Sequence, residues 1–414
     1  MEAALQARPL LAGVFAFTCA CIPAGHEKAD AGASDAGAAF VEAAHPAPPQ
    51  AISDGGVILK APHFVPIFFT GDDANLESQM SQFEARIGQS DYWSQTTAEY
   101  DVGEATAANP IVLDQSPAAA LEESEIASWL RQEIDNADPA LPAPDAETVY
   151  VLHYPAGVAI SGANGIGCSD FNAYHASVVV QSGTSVPYIV LPRCHDNQDI
   201  GGLTNPASHE LIEAATDPVP PRGYYDVDPD HEFWSIPWKG AEIADMCEHE
   251  WIVSAVFGDF PYLVQRSWSN STAAAGHDPC VPHIPGNVYF NTAPELNDWI
   301  TFHDASGAPH TGLGVAVPVG CTVQIALDLF SDADTGGPWD VNVVDGPLFN
   351  GGTSTLMLSQ DAVQGQNGDR IHLTITTLSA NSSNAETFVV QSALGLQIHN
   401  WVGLVDETPG ACAK

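Results

Sequence analysis

One segment of the chain carries the residue types and spacing for metal chemistry. It reads Asn205-Pro206-Ala207-Ser208-His209-Glu210-Leu211-Ile212-Glu213-Ala214-Ala215-Thr216-Asp217-Pro218. Asn205 with Pro206 marks a helix start and Pro218 a stop. His209 and Glu213 are four apart, so they share one helix face and stand one turn from each other. An imidazole nitrogen and a carboxylate oxygen so placed can bind one ion, because a carboxylate reaches zinc at much the same distance as an imidazole. Glu210 flanks the pair and is placed to take a proton from a water activated there. The bland alternative is a solvated acidic helix. Against it, the helix is otherwise apolar at Leu211, Ile212, Ala214 and Ala215.

The string resembles the zincin pattern HExxH with the second His replaced by Glu. About thirty residues on comes Ala241-Glu242-Ile243-Ala244-Asp245-Met246-Cys247. In zincins of the thermolysin type a Glu on a later helix is the third ligand, and an Asp one turn beyond it orients the first His. By that resemblance His209, Glu213 and Glu242 bind zinc, and Asp245 holds His209 in position. The Asp follows the Glu by three residues here rather than four. Asp217, two turns along the same face, is the alternative third ligand, or it closes the turn before Pro218. Tyr225 and His175 are candidates to stabilise a tetrahedral oxyanion. Their plainer roles are packing and a buried structural His.

Taken together, the motifs resemble the phosphate-induced, EXORDIUM-like family. The residues that carry the likeness are Ser208 to Pro218, then Glu242-Ile243-Ala244-Asp245-Met246-Cys247-Glu248, then Leu263-Val264-Gln265-Arg266-Ser267-Trp268-Ser269-Asn270 with Cys280. The upstream Cys168-Ser169-Asp170-Phe171-Asn172-Ala173-Tyr174-His175 also matches. The likeness covers about 60–283 and implies a secreted or cell-wall protein with a zincin-like pattern. It does not imply a defined reaction. The segment Asp226 to Lys239 and everything after 285 lie outside it.

These residues need elements to hold them. Phe64 to Phe69, Val149 to Leu152, Ser177 to Val180 and Tyr188 to Leu191 read as strands. Leu76, Met80, Phe83 and Ile87 fall at helical spacing, as do Ile126, Leu130 and Ile134 within Leu121 to Ile134. No regular strand–helix–strand alternation is evident. Beyond His283-Ile284-Pro285-Gly286 the chain turns to short alternating runs between Gly-, Asp- and Asn-rich turns. The expected fold class is an α+β zincin-like domain over 59–284 with a C-terminal all-β sandwich over 285–414.

The chain of 414 residues carries 11 Lys and Arg against 52 Asp and Glu, a formal charge of −41. So acidic a protein is repelled by nucleic acid and by anionic membrane surfaces. Arg8, the apolar run Pro9 to Phe17 and the small residues after it make residues 1–21 an expected signal peptide. Cys21 is the candidate for lipid attachment, with plain cleavage nearby as the alternative, since Thr18 stands where such signals usually carry Leu. The run is too short to span a membrane. Any membrane association is therefore expected only through a lipid at Cys21. Residues 22–58, rich in Ala, Asp, Gly and Pro, read as a disordered tether. The six remaining cysteines suit disulfides of an exported protein. Pairing of neighbours would give Cys168–Cys194, Cys247–Cys280 and Cys321–Cys412.

The function so implied is a secreted or lipid-anchored zinc-dependent peptidase acting on extracellular protein or peptide. The alternative is a non-catalytic wall-associated binding or structural protein that retains the metal-site fold. Replacing the second His by Glu places two carboxylates on the ion, which makes it less acidifying to its water. No carboxylate-pair context recommends a carbohydrate-active enzyme, and nothing in the sequence sets an oligomeric state.

Overall fold

The computed structural model describes residues 40–412 except 164, 195–199, 239, 251–252, 304–306, 350–352, 382 and 409. The expected signal, Cys21 and the first part of the tether, 22–39, lie outside the described residues.

The first half is built on a six-stranded mixed sheet. His63–Phe69 is flanked on one side by Thr106–Ala107 and Ile111–Leu113, and on the other by Thr148–His153, Ser185–Leu191 and Tyr174–Val179 in that order. Every pairing is parallel except the last, Tyr174–Val179 against Ser185–Leu191. Parallel strands covered on both faces read as unbroken apolar runs, which is how Phe64 to Phe69 and Val149 to Leu152 appear in the sequence. Alternate residues serve two cores. Phe64, Phe68, Val149, Val151 and Ile189 face one core. Val65, Ile67, Phe69, Tyr150, Leu152 and Val190 face the other, which Ile126 and Leu130 of helix Glu123–Asp135 cover. The first core takes Leu76, Met80, Phe83 and Ile87 of helix Ala74–Ile87, whose first turn is capped by the Asp73 carboxylate.

Helix Gly201–Thr216 packs into that same core and begins four residues earlier than Asn205. Pro206 therefore lies inside the helix. It lacks the amide that would have bonded to the carbonyl of residue 202, one turn into the helix.

The second half is a sandwich of two sheets. One runs Phe290–Pro294, Thr322–Ser331, Arg370–Thr377, Leu356–Gln360. The other runs Asp298–His303, Pro309–Ala316, Gln397–Asp406, Ala385–Leu394, Trp339–Asp345, Gln364–Gly365. Alternation in Arg370–Thr377 turns Ile371, Leu373 and Ile375 inward. Trp339 donates across the sandwich to the Thr292 hydroxyl at 3.1 Å. Cys321–Cys412 ties down the segment after the last strand.

Of the described residues, 38% lie in strands and 20% in helices. That proportion overturns the expected α+β zincin-like fold class. The physical reason is local as well as global. The segment of Glu242 and Asp245 builds no second long helix, only the four residues Asp245–Glu248. Among the described residues, no helix is long and apolar enough to cross a membrane.

Residues 41–58 also depart from the expected tether. They lie along the fold as a strap whose backbone bonds to side chains of both halves. The Asn367 side chain accepts from the Ala43 amide at 2.9 Å and donates to the Val41 carbonyl at 2.8 Å. His45 stacks on Phe330 at 3.9 Å between ring centroids. Asp228 accepts from the Gln50 amide, and Asn270 both accepts from and donates to Ala51. Ala51–Ser53 then pairs with Tyr224–Val227. Composition argued for disorder because this segment buries little of itself, but its neighbours supply the hydrogen bonds it lacks. One core accordingly runs from Ala51 through Trp234 and Trp268 to Trp401 and Val405.

Asn367→Ala is expected to destabilise the fold by about 1–3 kcal/mol, read as a lower urea midpoint. Proteolytic cutting should rise within 41–46 while the sandwich stays intact. Unchanged cutting there would show that the strap does not depend on this residue.

Candidate metal centre

Three elements converge on a cleft of about 810 Å³. The edge strand Tyr174–Val179 contributes His175. The helix contributes His209, Glu210, Glu213 and, at its C-terminal cap, Asp217. The turn before Asp245–Glu248 contributes Glu242 and Asp245. The Met246 amide bonds to the Glu242 carbonyl at 3.2 Å, so these two acids lie on a single turn. Cys247–Cys280 anchors that turn, and Cys168–Cys194 closes the loop leading into the His175 strand.

Around His209, Nε2 lies 3.0 Å from Glu213 Oε2 and 3.5 Å from Asp245 Oδ1. Its Nδ1 lies 3.1 Å from Gln265 Oε1. The Gln265 amide donates to the Ala244 carbonyl at 2.9 Å, and its backbone amide donates to the Ser208 hydroxyl at 2.9 Å. With its nitrogen committed, Gln265 presents an oxygen to His209, so Nδ1 carries the proton and Nε2 faces the carboxylates. Gln265 thus holds Nδ1 of His209, while Asp245, to which the zincin resemblance gives the orienting part, approaches the other ring nitrogen. Asp245 stands on the Nε2 side beside Glu213, and its amide donates to Glu213 Oε1 at 3.3 Å.

His175 is buried among the other acids. Its Nδ1 lies 3.2 Å from Glu210 Oε2 and 3.7 Å from Glu213 Oε2, while Nε2 lies 3.3 Å from Glu242 Oε1. Asp217 accepts from the amides of Gly223 and Arg222 at 2.7 and 3.2 Å. Three sets of donor atoms lie within 4.8 Å of one another: His209, Glu213 and Asp245; His175, Glu210 and Glu213; and His175, Asp217 and Glu242. Glu242, the third ligand the zincin resemblance implies, thus groups with His175 and Asp217. Tyr225 lines the cleft and is half-exposed.

The electrostatics follow from burial. Desolvation opposes charge on His209, yet Glu213, Asp245 and Glu210 hold its imidazole well above the usual range. Desolvation likewise opposes charge on His175, which Glu242 and Glu210 raise. Burial lifts Glu213 well above an ordinary carboxyl against the pull of His209, with repulsion from Glu242 and Asp245 adding to it. Burial pushes Glu242 up to about 7, opposed by His175. The Tyr225 phenol is raised by burial and by Glu242, Asp245 and Asp217.

Gln265 is the site residue that the sequence reading leaves without a role. Its signal is a lone amide in the apolar run Tyr262-Leu263-Val264, ahead of the buried Arg266.

No family model matches the chain, and no curated protein matches it. Among solved structures it is similar to domains 4 and 5 of the S-layer protein SbsC, at 16% identity over 28% of this chain and a TM-score of 0.18. The chain spans about half of that fragment, 53%. It is similar to the titin M3 domain at 8% identity, covering 23% of this chain and 88% of that one with a TM-score of 0.16. The periplasmic chaperone SfaE matches at 15% identity, over 24% of this chain and 56% of its own, with a TM-score of 0.18.

For a divalent ion bound through His209 Nε2, Gln265→Leu should weaken affinity roughly 10–100-fold by freeing the ring. Competition against a chromophoric chelator measures this. An unchanged affinity would remove Gln265 from the site.

Proposed function

We propose that this is an exported metal-binding protein whose cleft hydrolyses peptide bonds. The observation that carries the reading is the convergence of His209 Nε2, Glu213 and Asp245 in the cleft, beside a buried Glu210 whose carboxylate meets His175. Zinc is the proposed ion, since one imidazole with carboxylates lies within its ligand chemistry. Such an ion, when bound, polarises a substrate carbonyl and acidifies a water.

The chain's own residues do the rest. Gln265 fixes which nitrogen of His209 faces the cleft. The Asp245 amide pins Glu213. Glu210 is the proposed general base, taking a proton and returning it to the leaving amine. His175 stands 3.2 Å from that carboxylate and sets its orientation. Tyr225 lines the cleft and is the proposed donor to the oxyanion, as a phenol is protonated at neutral pH.

Export is supported by the basic and apolar N-terminus and by the three disulfides. Attachment of a lipid at Cys21 and an extracellular protein or peptide as substrate are the finer parts of the proposal.

A second reading is a non-catalytic surface protein whose ionic cluster is a structural element. The mutual pairing of imidazoles and carboxylates at 3.0 to 3.7 Å favours it, because such a network holds its members without turnover.

Glu210→Gln separates the two. It should keep zinc at the wild-type stoichiometry and lose about 100- to 10,000-fold in hydrolysis of unfolded casein. Wild-type protein that holds zinc yet cleaves no unfolded polypeptide would establish the second reading. Protein that holds no metal after zinc loading would overturn both the ion and the reaction.

A further inference from the structure

We infer that the cleft holds a second divalent cation, bound by His175, Asp217 and Glu242. The inference rests on the reading of His209, Glu213 and Asp245 as the first site, but a different observation carries it. His175 Nε2, Asp217 Oδ2 and Glu242 Oε1 are each buried without a hydrogen-bond partner. These are one atom from each member of a set whose donor atoms lie within 4.8 Å of one another.

Orphaned polar atoms are uncommon in folded interiors, and three from one set call for a shared partner. His175 Nε2 and Glu242 Oε1 approach to 3.3 Å without the alignment of a hydrogen bond. Asp217 is 1% exposed, and its Oδ1 is committed to the Gly223 and Arg222 amides. That leaves Oδ2 free in a fixed carboxylate. A cation takes all three lone pairs at once.

The charge inventory agrees. Glu210, Glu213, Asp217, Glu242 and Asp245 surround two imidazoles, and four of the five are buried. With the imidazoles neutral as ligands, one divalent ion leaves three negative charges uncompensated, and a second leaves one. Buried charge without compensation is strongly disfavoured. One imidazole and two carboxylates suit Zn²⁺ or Mn²⁺.

The position also has a chemical consequence. The second ion lies on the Nε2 side of the His175 ring, away from Glu210. Ligation through Nε2 places the proton on Nδ1, which then donates to Glu210 Oε2. His175 is thereby a positioning residue for the proposed base.

The test is metal stoichiometry of the full chain, loaded with Zn²⁺, freed of excess by gel filtration and measured by plasma mass spectrometry. Wild type should carry two ions. Asp217→Asn keeps the oxygen that caps the two amides, and it should carry one, as should Glu242→Gln. Near-UV circular dichroism confirms that each variant is folded. A wild type with one ion that Asp217→Asn retains would overturn the second site and leave the first standing. A single ion lost in Asp217→Asn would place the sole ion on this set and overturn the two-ion proposal. Two ions retained in both folded variants would overturn the ligand assignment. No bound ion in wild type would overturn the first site as well.

Discussion

Carboxylates brought together under burial repel one another, and the fold can keep them only by fixing each from outside the cluster. Glu213 is raised by burial and by its acidic neighbours, and Glu242 reaches about 7. Three holds on these acids do not titrate. Glu213 accepts from the Asp245 amide, and Asp217 accepts from two loop amides. Glu242 and Asp245 share a turn that Cys247–Cys280 fastens. His209 is turned by Gln265, which is itself anchored to Ala244 and Ser208. Remove these neutral anchors and the cluster has every electrostatic reason to spread.

The rest of the architecture supplies rigid mounts for those anchors. The mixed sheet places His175 on its edge strand, directly over the helix of His209. That helix is sealed against the core by Leu211, Ile212, Ala214 and Ala215, so the acidic face cannot rotate away without exposing apolar surface. The sandwich braces the other side. Trp234 packs against both Trp268 and Trp401, and the Glu250 side chain pairs with buried His399 at 2.8 Å. The turn of Glu242 and Asp245 therefore leans on a strand more than a hundred residues downstream.

What could be read from the residues divides along physical lines. Local periodicity located helices Ala74–Ile87 and Glu123–Asp135 and four of the six strands of the mixed sheet to within a few residues, because one apolar face or one unbroken run dictates each; the short strands Thr106–Ala107 and Ile111–Leu113 left no such signal. Parallel pairing was not legible, since it depends on which runs meet across intervening helices. Pro206 misplaced the helix start, because a proline one turn in leaves the same local signature as one at the first position. The zincin analogy misjudged the fold class: HExxE specifies a single helix turn and says nothing about the elements around it. His209, Glu210 and Glu213 could be grouped by spacing alone. Placing His175 with Glu242 and Asp217, and Gln265 behind His209, required the tertiary fold.

The strap has a consequence for the order in which the molecule is completed. Its Ala43 and Val41 bond to Asn367, which lies 324 and 326 residues away in sequence. The first folded residues of the chain therefore wait for partners that emerge near its end. Contacts of such long range close only after the intervening chain is ordered, when the loop between them has already been shortened by structure. Until Asn367 is made, the bonds of the strap to the sandwich half cannot form. A chain stalled before Asn367 therefore lacks the partner that holds Val41 and Ala43, however complete its first half.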